Sequence, residues 1–205
     1  MDPADRSEIL WIAATKMEAA TLPAGANALV TGIGPATAAG TLARHLARGR
    51  FRRVVGVGIA GAYPLSGLEL GQVVQVVLDG FVDLGAETEV GFKPLWELGI
   101  HEVREALSFP ASEWSLISDL PRVSGGTCSV CTGTLETAVR RAQTGAQIES
   151  MEGAAWAQVA QNADLPFDQI RAISNVAGPR DREAWKIPEA IEQLRITLAQ
   201  IWSKL

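Results

Sequence analysis

Two carboxylates and one carboxamide stand where this chain could do chemistry. Glu152 lies in Ile148-Glu-Ser-Met-Glu-Gly-Ala-Ala-Trp-Ala-Gln-Val-Ala160, which reads as a strand end running into a helix, with Glu152 in the first turn. Asn175 closes Arg171-Ala-Ile-Ser-Asn175, the end of the next strand. Glu18 closes Thr15-Lys-Met-Glu18, directly after an apolar run. A carboxylate can act as a base or face a cationic centre, and a carboxamide offers one donor and one acceptor group. Taken singly, each has a plainer reading. Acidic residues favour the positive end of a helix, and an Asn at a strand end is often a turn residue. Taken together, all three fall at carboxyl ends of strands or in the turns directly after them. That edge is where an open α/β sheet binds ligands.

The elements that must deliver these groups are legible from periodicity. Glu8–Ala14 is a continuous apolar run, the mark of a strand buried on both faces. Ala28–Thr31 is a second strand, and Gly32-Ile-Gly-Pro35 turns into a helix from about residue 36 to 48. Arg53–Gly58 and Gln72–Leu78 are further strands, and 79–110 reads as a long excursion with short helices. Ser115–Ser118 is a short strand candidate and Leu135–Arg141 a helix. The helix around Glu152, the strand Gln169–Ser174 and an amphipathic helix from Pro188 to about Trp202 complete the chain. Pro188 suits a first helical position. Strands alternating with helices imply an α/β fold: a single-domain three-layer sandwich with a mostly parallel, mixed central sheet. The expected organisation is a flexible tail over 1–7 and one domain over 8–205.

Composition narrows the function. The 205 residues are 47% hydrophobic and 20% charged, enough for a packed core rather than a disordered chain. A formal charge of −5 without a basic run argues against nucleic acid as partner. No apolar run reaches membrane-spanning length. The polar start Met1-Asp-Pro-Ala-Asp-Arg-Ser7 is unlike a signal peptide, so a soluble cytoplasmic protein is expected.

Two motifs invite chemistry that their context does not support. Gly56-Val-Gly-Ile-Ala-Gly61 spells a dinucleotide fingerprint, with Asp79 some twenty residues on. The fingerprint needs a helix opening at its third glycine, and Ala62-Tyr-Pro-Leu-Ser-Gly67 breaks helices. A glycine-rich strand end could still approach a small ligand closely. Cys128-Ser-Val-Cys131 spells CxxC in a Ser/Gly/Thr-rich stretch, while a redox pair would open a helix. Zinc would need two more ligands, and His45 and His101 are isolated. No metal and no cofactor are expected. His45, inside a surface helix, reads as solvated.

Four segments together resemble the purine nucleoside phosphorylase and nucleosidase superfamily over nearly the whole chain. They are Ile12-Ala-Ala-Thr-Lys-Met-Glu18; Val30-Thr-Gly-Ile-Gly-Pro-Ala-Thr-Ala-Ala39; Val55-Gly-Val-Gly-Ile-Ala-Gly61; and Glu149–Ala160 with Arg171–Asn175. Within the superfamily, Ala172-Ile-Ser-Asn-Val-Ala-Gly-Pro-Arg-Asp-Arg-Glu-Ala-Trp185 looks most like the futalosine hydrolases, which release hypoxanthine in menaquinone biosynthesis. The resemblance implies roles. Glu18 stands where nucleosidases place the carboxylate that activates water. Met151 and Glu152 stand where the family holds ribose. Ile59, Ala60, Gly61 and Ser174 stand at base and backbone contacts. Asn175 stands where the methylthioadenosine nucleosidases carry an Asp acting at N7 of adenine.

That last departure is informative. An Asn amide can donate to a 6-oxo group and accept from N7 as N7 is protonated, so Asn175 fits hypoxanthine better than adenine. Gly56 occupies the position where hexameric phosphorylases carry a phosphate-binding Arg, and Arg52 and Arg53 precede a buried strand at its far end. Water is therefore favoured over phosphate. Ala19–Asn27 is also shorter than in the longer nucleosidases, so one pocket wall must be built differently or by a partner subunit. A homo-oligomer, dimer or tetramer, is expected. The benzoate of futalosine needs a cation and an aromatic, for which Arg180 or Arg182 with Trp185 or Trp96 are candidates. Other readings remain open: another purine nucleosidase acting on methylthioadenosine, adenosylhomocysteine or aminodeoxyfutalosine; a 6-oxopurine nucleoside phosphorylase; or a non-catalytic nucleoside-binding protein.

Overall fold

The computed structural model describes residues 6–99, 108–112 and 114–205, with the side chains of Trp96 and Ser108 outside the description. His101 and residues 1–5 of the expected tail fall outside it too. Arg6 and Ser7 enter a 3-10 turn, Arg6–Glu8. There the Arg6 guanidinium lies 4.9 Å over the Trp202 ring.

Strand β1 (Ile9–Ala13) pairs in parallel with β2 (Asn27–Val30) on one side and with β3 (Arg53–Ala62) on the other. Every β1 residue is buried, because its two faces meet two different layers. Ile9, Trp11 and Ala13 join Ala190, Leu194 and Leu198 of helix α5 (Ile187–Ser203). Leu10 and Ile12 join Ala38 and Leu42 of α2 (Pro35–Leu46) and Ala154, Trp156 and Ala160 of α4 (Gly153–Asn162). The continuous apolar run in the sequence is the imprint of this three-layer arrangement. Helix α1 (Lys16–Ala19) comes directly after β1, and α3 (Leu135–Ala142) packs further along the sheet.

The sheet has an additional property that periodicity does not carry. Besides β1, strand β3 pairs with β10 (Phe167–Val176) and, at its last residues, with β9 (Ile148–Ser150). β10 pairs with β4 (Val73–Phe81), β4 with β8 (Arg122–Thr127) and β8 with β9. Five strands thus close a ring, filled by small or branched residues such as Ala60, Ala62, Val74, Val123 and Ile173. Closure needs residues without bulk where strands crowd. A Cβ on Gly56 would come 2.9 Å from the Trp156 ring. The glycines of the GxGxxG stretch all lie inside β3, and no helix opens at Gly61.

The 79–110 excursion divides into the end of β4, a hairpin of β5 (Gly85–Thr88) and β6 (Gly91–Pro94), a 3-10 turn at Leu95–Leu98, and β7 (Ser108–Pro110), which pairs with β4. Ser115–Ile117 is a 3-10 turn, not the strand expected over Ser115–Ser118. It buries Ile117 in the core by turning, with no strand beside it to pair. β8 gives no strand signal in the sequence, since Arg-Val-Ser-Gly-Gly-Thr has one large apolar residue. Its neighbours β4 and β9 make it a strand by supplying backbone partners on both edges.

Candidate active site

Glu18 owes its position to a capping box. Thr15 caps α1 and its hydroxyl accepts from the Glu18 amide at 3.2 Å. In return Glu18 Oε2 accepts from the Thr15 amide at 3.0 Å and its hydroxyl at 2.7 Å. Such reciprocal bonds are a helix-start device, which is the plain reading of Glu18. The other oxygen does something more: Oε1 accepts from the Ile59 amide of β3 at 3.0 Å. The carboxylate is thereby fixed against the edge of the sheet at 5% exposure.

Glu152 is the N-cap residue of α4, yet its side chain makes no cap bond to that helix. Its Oε1 instead accepts from the amide of Gly34, at the start of α2, at 3.0 Å. Burial raises its pKa above the ordinary carboxylate value and nearby Glu18 adds to this, while Arg171 and the Gly34 amide pull the other way. Arg171 Nη2 is 4.0 Å from Glu152 Oε2. The guanidinium is 1% exposed, 4.9 Å over the Trp156 ring. It is locked by Gln169, whose Oε1 accepts from Nε at 3.0 Å and Nη2 at 2.8 Å. Gln169 can present only its carbonyl because its amide donates to Asp79 at 2.8 Å. A Cβ on Gly58 would lie 2.5 Å from Glu18 Oε1 and 2.6 Å from Arg171 Nη1. Glycine at that point is what lets the carboxylate and guanidinium flank one strand.

Asn175 comes after an irregularity in the β10 register, where Ile173 pairs with Ala60 and Asn175 with Gly61. Ser174 Oγ donates to Asn175 Oδ1 at 2.8 Å, which orients the amide. Across Gly61, whose added Cβ would be 3.0 Å from Asn175 Nδ2 and 3.5 Å from Glu149 Cγ, stands a third carboxylate. Glu149 is buried and held by the Thr132 amide at 3.1 Å, the Thr132 hydroxyl and the Tyr63 hydroxyl at 3.2 Å, with Arg141 at 3.5 Å.

The three carboxylates and Asn175 line one cavity of about 340 Å³. It is bordered by Glu18, Met151, Glu152 and Asn175, by Ile59, Ala60, Gly61 and Ser174, and also by Thr15, Glu149 and Cys131. Among the described residues, Arg180 is the one Lys or Arg on its wall, 5.2 Å over the ring of Trp185, which also lines it. Arg182 is exposed in the 3-10 turn Arg182–Ala184 and does not line the cavity. The Trp96 side chain lies outside the description. Arg53 is at the opposite end of β3, paired with Asp168 and with Ser112. Met17 (48% exposed) and Ile33 (60%) form an open apolar part of the rim, beside the short Ala19–Asn27 connection. The described residues include no group of three or more His, Cys, Asp or Glu able to hold a metal. No helix among them is long and apolar enough to cross a membrane.

Sequence reasoning did not single out Glu149, Gly34, Arg171 or Gln169. Glu149 and Arg171 sit inside quoted segments, and a charged residue in an otherwise apolar buried strand was the available signal. The Gly34 contact, spanning 118 residues, left no local trace.

Known proteins are similar to this chain over most of its length. A family model described as the phosphorylase superfamily matches residues 25–205. A futalosine hydrolase of Acidothermus cellulolyticus is 37% identical over 186 residues, covering 87% of this chain and 75% of that protein. One from Thermus thermophilus is 36% identical over 175 residues, covering 81% and 76%. Among solved structures, a futalosine hydrolase mutant of Helicobacter pylori superposes with a TM-score of 0.78 at 17% identity, over 97% of this chain and 100% of that one. A Helicobacter pylori nucleosidase mutant with 5'-methylthioadenosine in its active site gives 0.78 at 17% identity, over 97% and 99%. The chain belongs to the phosphorylase superfamily and, within it, to the futalosine hydrolase family.

Proposed function

We propose that this chain hydrolyses the N-ribosidic bond of futalosine, releasing hypoxanthine and dehypoxanthinyl futalosine for menaquinone biosynthesis. The observation that carries the reading is the layout along β3. Glu18 is placed beside Gly58 and Asn175 beside Gly61, three residues or about 10 Å apart in a strand. One cavity thus has the Glu18 carboxylate toward Gly58 and the Asn175 amide, with Glu149 beside it, toward Gly61.

The chemistry rests on that layout. Breaking a ribosyl C–N bond builds cationic character on the sugar and negative charge on the purine, as in glycoside hydrolysis. Glu152, with Met151, holds the ribose and stabilises the first charge; Glu18 activates the attacking water. Asn175 serves the base, its NH2 donating to O6 and its carbonyl accepting from protonated N7. Glu149, an acceptor beside Asn175, suits the N1–H of hypoxanthine and opposes adenine, whose N1 only accepts. Arg180 on Trp185 is the station for the substrate's carboxylate. Water is preferred to phosphate because the position at which the resemblance places a phosphate-binding Arg is Gly56, and among the described residues Arg180 is the one Lys or Arg on the cavity wall.

The reading also takes the protein as cytoplasmic and homo-oligomeric, a second copy covering Met17 and Ile33. Light scattering tests the assembly. The activity is tested by incubating the protein with futalosine, inosine and methylthioadenosine, with and without phosphate, and identifying products. Hypoxanthine release from futalosine without phosphate, lost in Glu18→Gln, is expected. Formation of a ribose-1-phosphate product would replace hydrolysis with phosphorolysis.

A further inference from the structure

The CxxC stretch has no part in the proposed hydrolysis, yet both its cysteines border the cavity. Both are free thiols, Cys128 buried and Cys131 half-buried. The chain between them bends at Ser129 and Val130. Asp83 Oδ2 accepts from the Ser129 amide at 2.7 Å and from the Val130 amide at 3.2 Å. Arg141 closes the clamp, its Nη1 donating to the Val130 carbonyl at 2.8 Å and its Nη2 lying 3.4 Å from Asp83. Both inner residues thus donate to one carboxylate oxygen, which holds the bend between the two cysteines in place. Two residues between cysteines in such a bend suit the short Cα separation of a disulfide. Cys131 Sγ also lies 3.4 Å from Met151 Sδ, so this thiol stands against the residue placed under the ribose.

We propose that Cys128 and Cys131 form a peroxide-responsive thiol pair in the cavity wall, closing to a disulfide that removes the protein from its nucleoside-binding state. The two thiols are unequal, as the reaction requires. The adjacent Cys128 thiol and the Arg180 guanidinium hold Cys131 low, at about 6, against burial and Glu149. The neighbouring Cys131 and burial push Cys128 up. Cys131 is therefore the nucleophile and Cys128 the resolving thiol.

The steps balance with a hydroperoxide as oxidant. The Cys131 thiolate attacks the peroxide oxygen. The O–O bond breaks, sulfur is oxidised to a sulfenic acid, and the leaving hydroxide or alkoxide takes up the proton that the Cys131 thiol released on ionising, giving water or an alcohol. The Cys128 sulfur then attacks the sulfenic sulfur. The S–S bond forms and hydroxide leaves, taking the Cys128 proton as water. A dithiol reductant reverses the bond by exchange. Bridging draws Cys131 off Met151 and pulls on Thr132, whose amide and hydroxyl hold Glu149. The functional consequence rests on the hydrolase reading; the thiol chemistry does not.

The reduced protein is treated with hydrogen peroxide at pH 7 and followed by free-thiol titration, intact mass and peptide mapping. The expected result is joint loss of both thiols, a mass lower by two hydrogens, a Cys128–Cys131 link, and full return with dithiothreitol. The rate should exceed that of an unstructured cysteine peptide by about ten-fold. Oxygen adducts on Cys131 without a link, or thiols that survive conditions oxidising the peptide, would overturn the proposal. In Cys131→Ser, Cys128 should resist peroxide; oxidation at the wild-type rate would reverse the assignment. Because these readouts need no turnover, a protein inert to futalosine can still pass them. In an active protein, hydrolysis should fall and recover in step with the thiols, and Cys131→Ser should retain its own activity under peroxide. Activity unmoved while the link forms would remove the claim that the bond alters the site.

Discussion

The amide of Gly34 and the carboxylate of Glu152 meet at 3.0 Å across 118 residues. The contact joins the entrance of α2 to the entrance of α4, so two helix starts are tied at one carboxylate. Gly34 has φ 87° and ψ 154°, a conformation that side-chain-bearing residues rarely adopt. A Cβ there would meet no atom within 4 Å, so the requirement for glycine is conformational and not steric.

Gly34→Ala should therefore destabilise the fold by about 1–3 kcal/mol through backbone strain, read by urea denaturation. The strained turn also moves the amide that orients Glu152. The KM for futalosine should rise in the same variant, while the far-UV spectrum stays that of the parent.

Glu152 gives a pH signature. Its folded-state pKa lies above the ordinary value of 4.5, chiefly through burial. Between that value and the raised one, the folded state keeps a proton that the unfolded state has released. Stability should therefore fall as pH rises through this window. Glu152→Gln should remove its share of that slope in thermal melts taken from pH 4 upward. The proposed ribose-facing role needs the ionised form, so the acidic limb of kcat/KM should sit above the ordinary carboxylate range.

Asn175→Asp should move base preference from 6-oxo toward 6-amino substrates. A reversed donor/acceptor pattern leaves buried polar groups unpaired, and the ratio of kcat/KM for futalosine over aminodeoxyfutalosine should drop by about ten-fold or more. An unchanged ratio would discard the pairing of Asn175 with the base.

Arg180→Ala should separate the two ends of the substrate. Loss of a charge-assisted bond to the carboxylate, about 1.5–3 kcal/mol, should raise KM for futalosine about ten-fold or more. Inosine, which lacks the benzoate, should be hydrolysed with KM unchanged. Arg182→Ala, outside the cavity wall, should leave both values near the parent's.

The sequence by itself determined the layered α/β plan and the edge at which the site lies. An apolar run such as Ile9–Ala13 can only be a strand covered on both faces. Glu18 and Asn175, at the ends of β1 and β10, which both run parallel to β3, emerge at one edge of the sheet; Glu152 follows β9, which runs antiparallel to β3, and joins them because β9 pairs with the last residues of β3. The sequence also determined that Gly56–Gly61 could not start a nucleotide-binding helix, because Ala62-Tyr-Pro-Leu-Ser-Gly67 cannot be helical. Only the tertiary structure decided how the ring closes, since β8 (Arg122–Thr127) is a strand because of its neighbours and not its own composition. It alone placed Arg180 on the wall and Arg182 off it, two residues apart in a loop with no period to orient them. It also brought Glu149 beside Asn175 across Gly61, and set Asp79, Gln169 and Arg171 in a chain behind the carboxylates. Local patterns report which face of an element is covered. They carry no record of which distant residue a buried polar group will meet, because that depends on how strands far apart in sequence are brought into register.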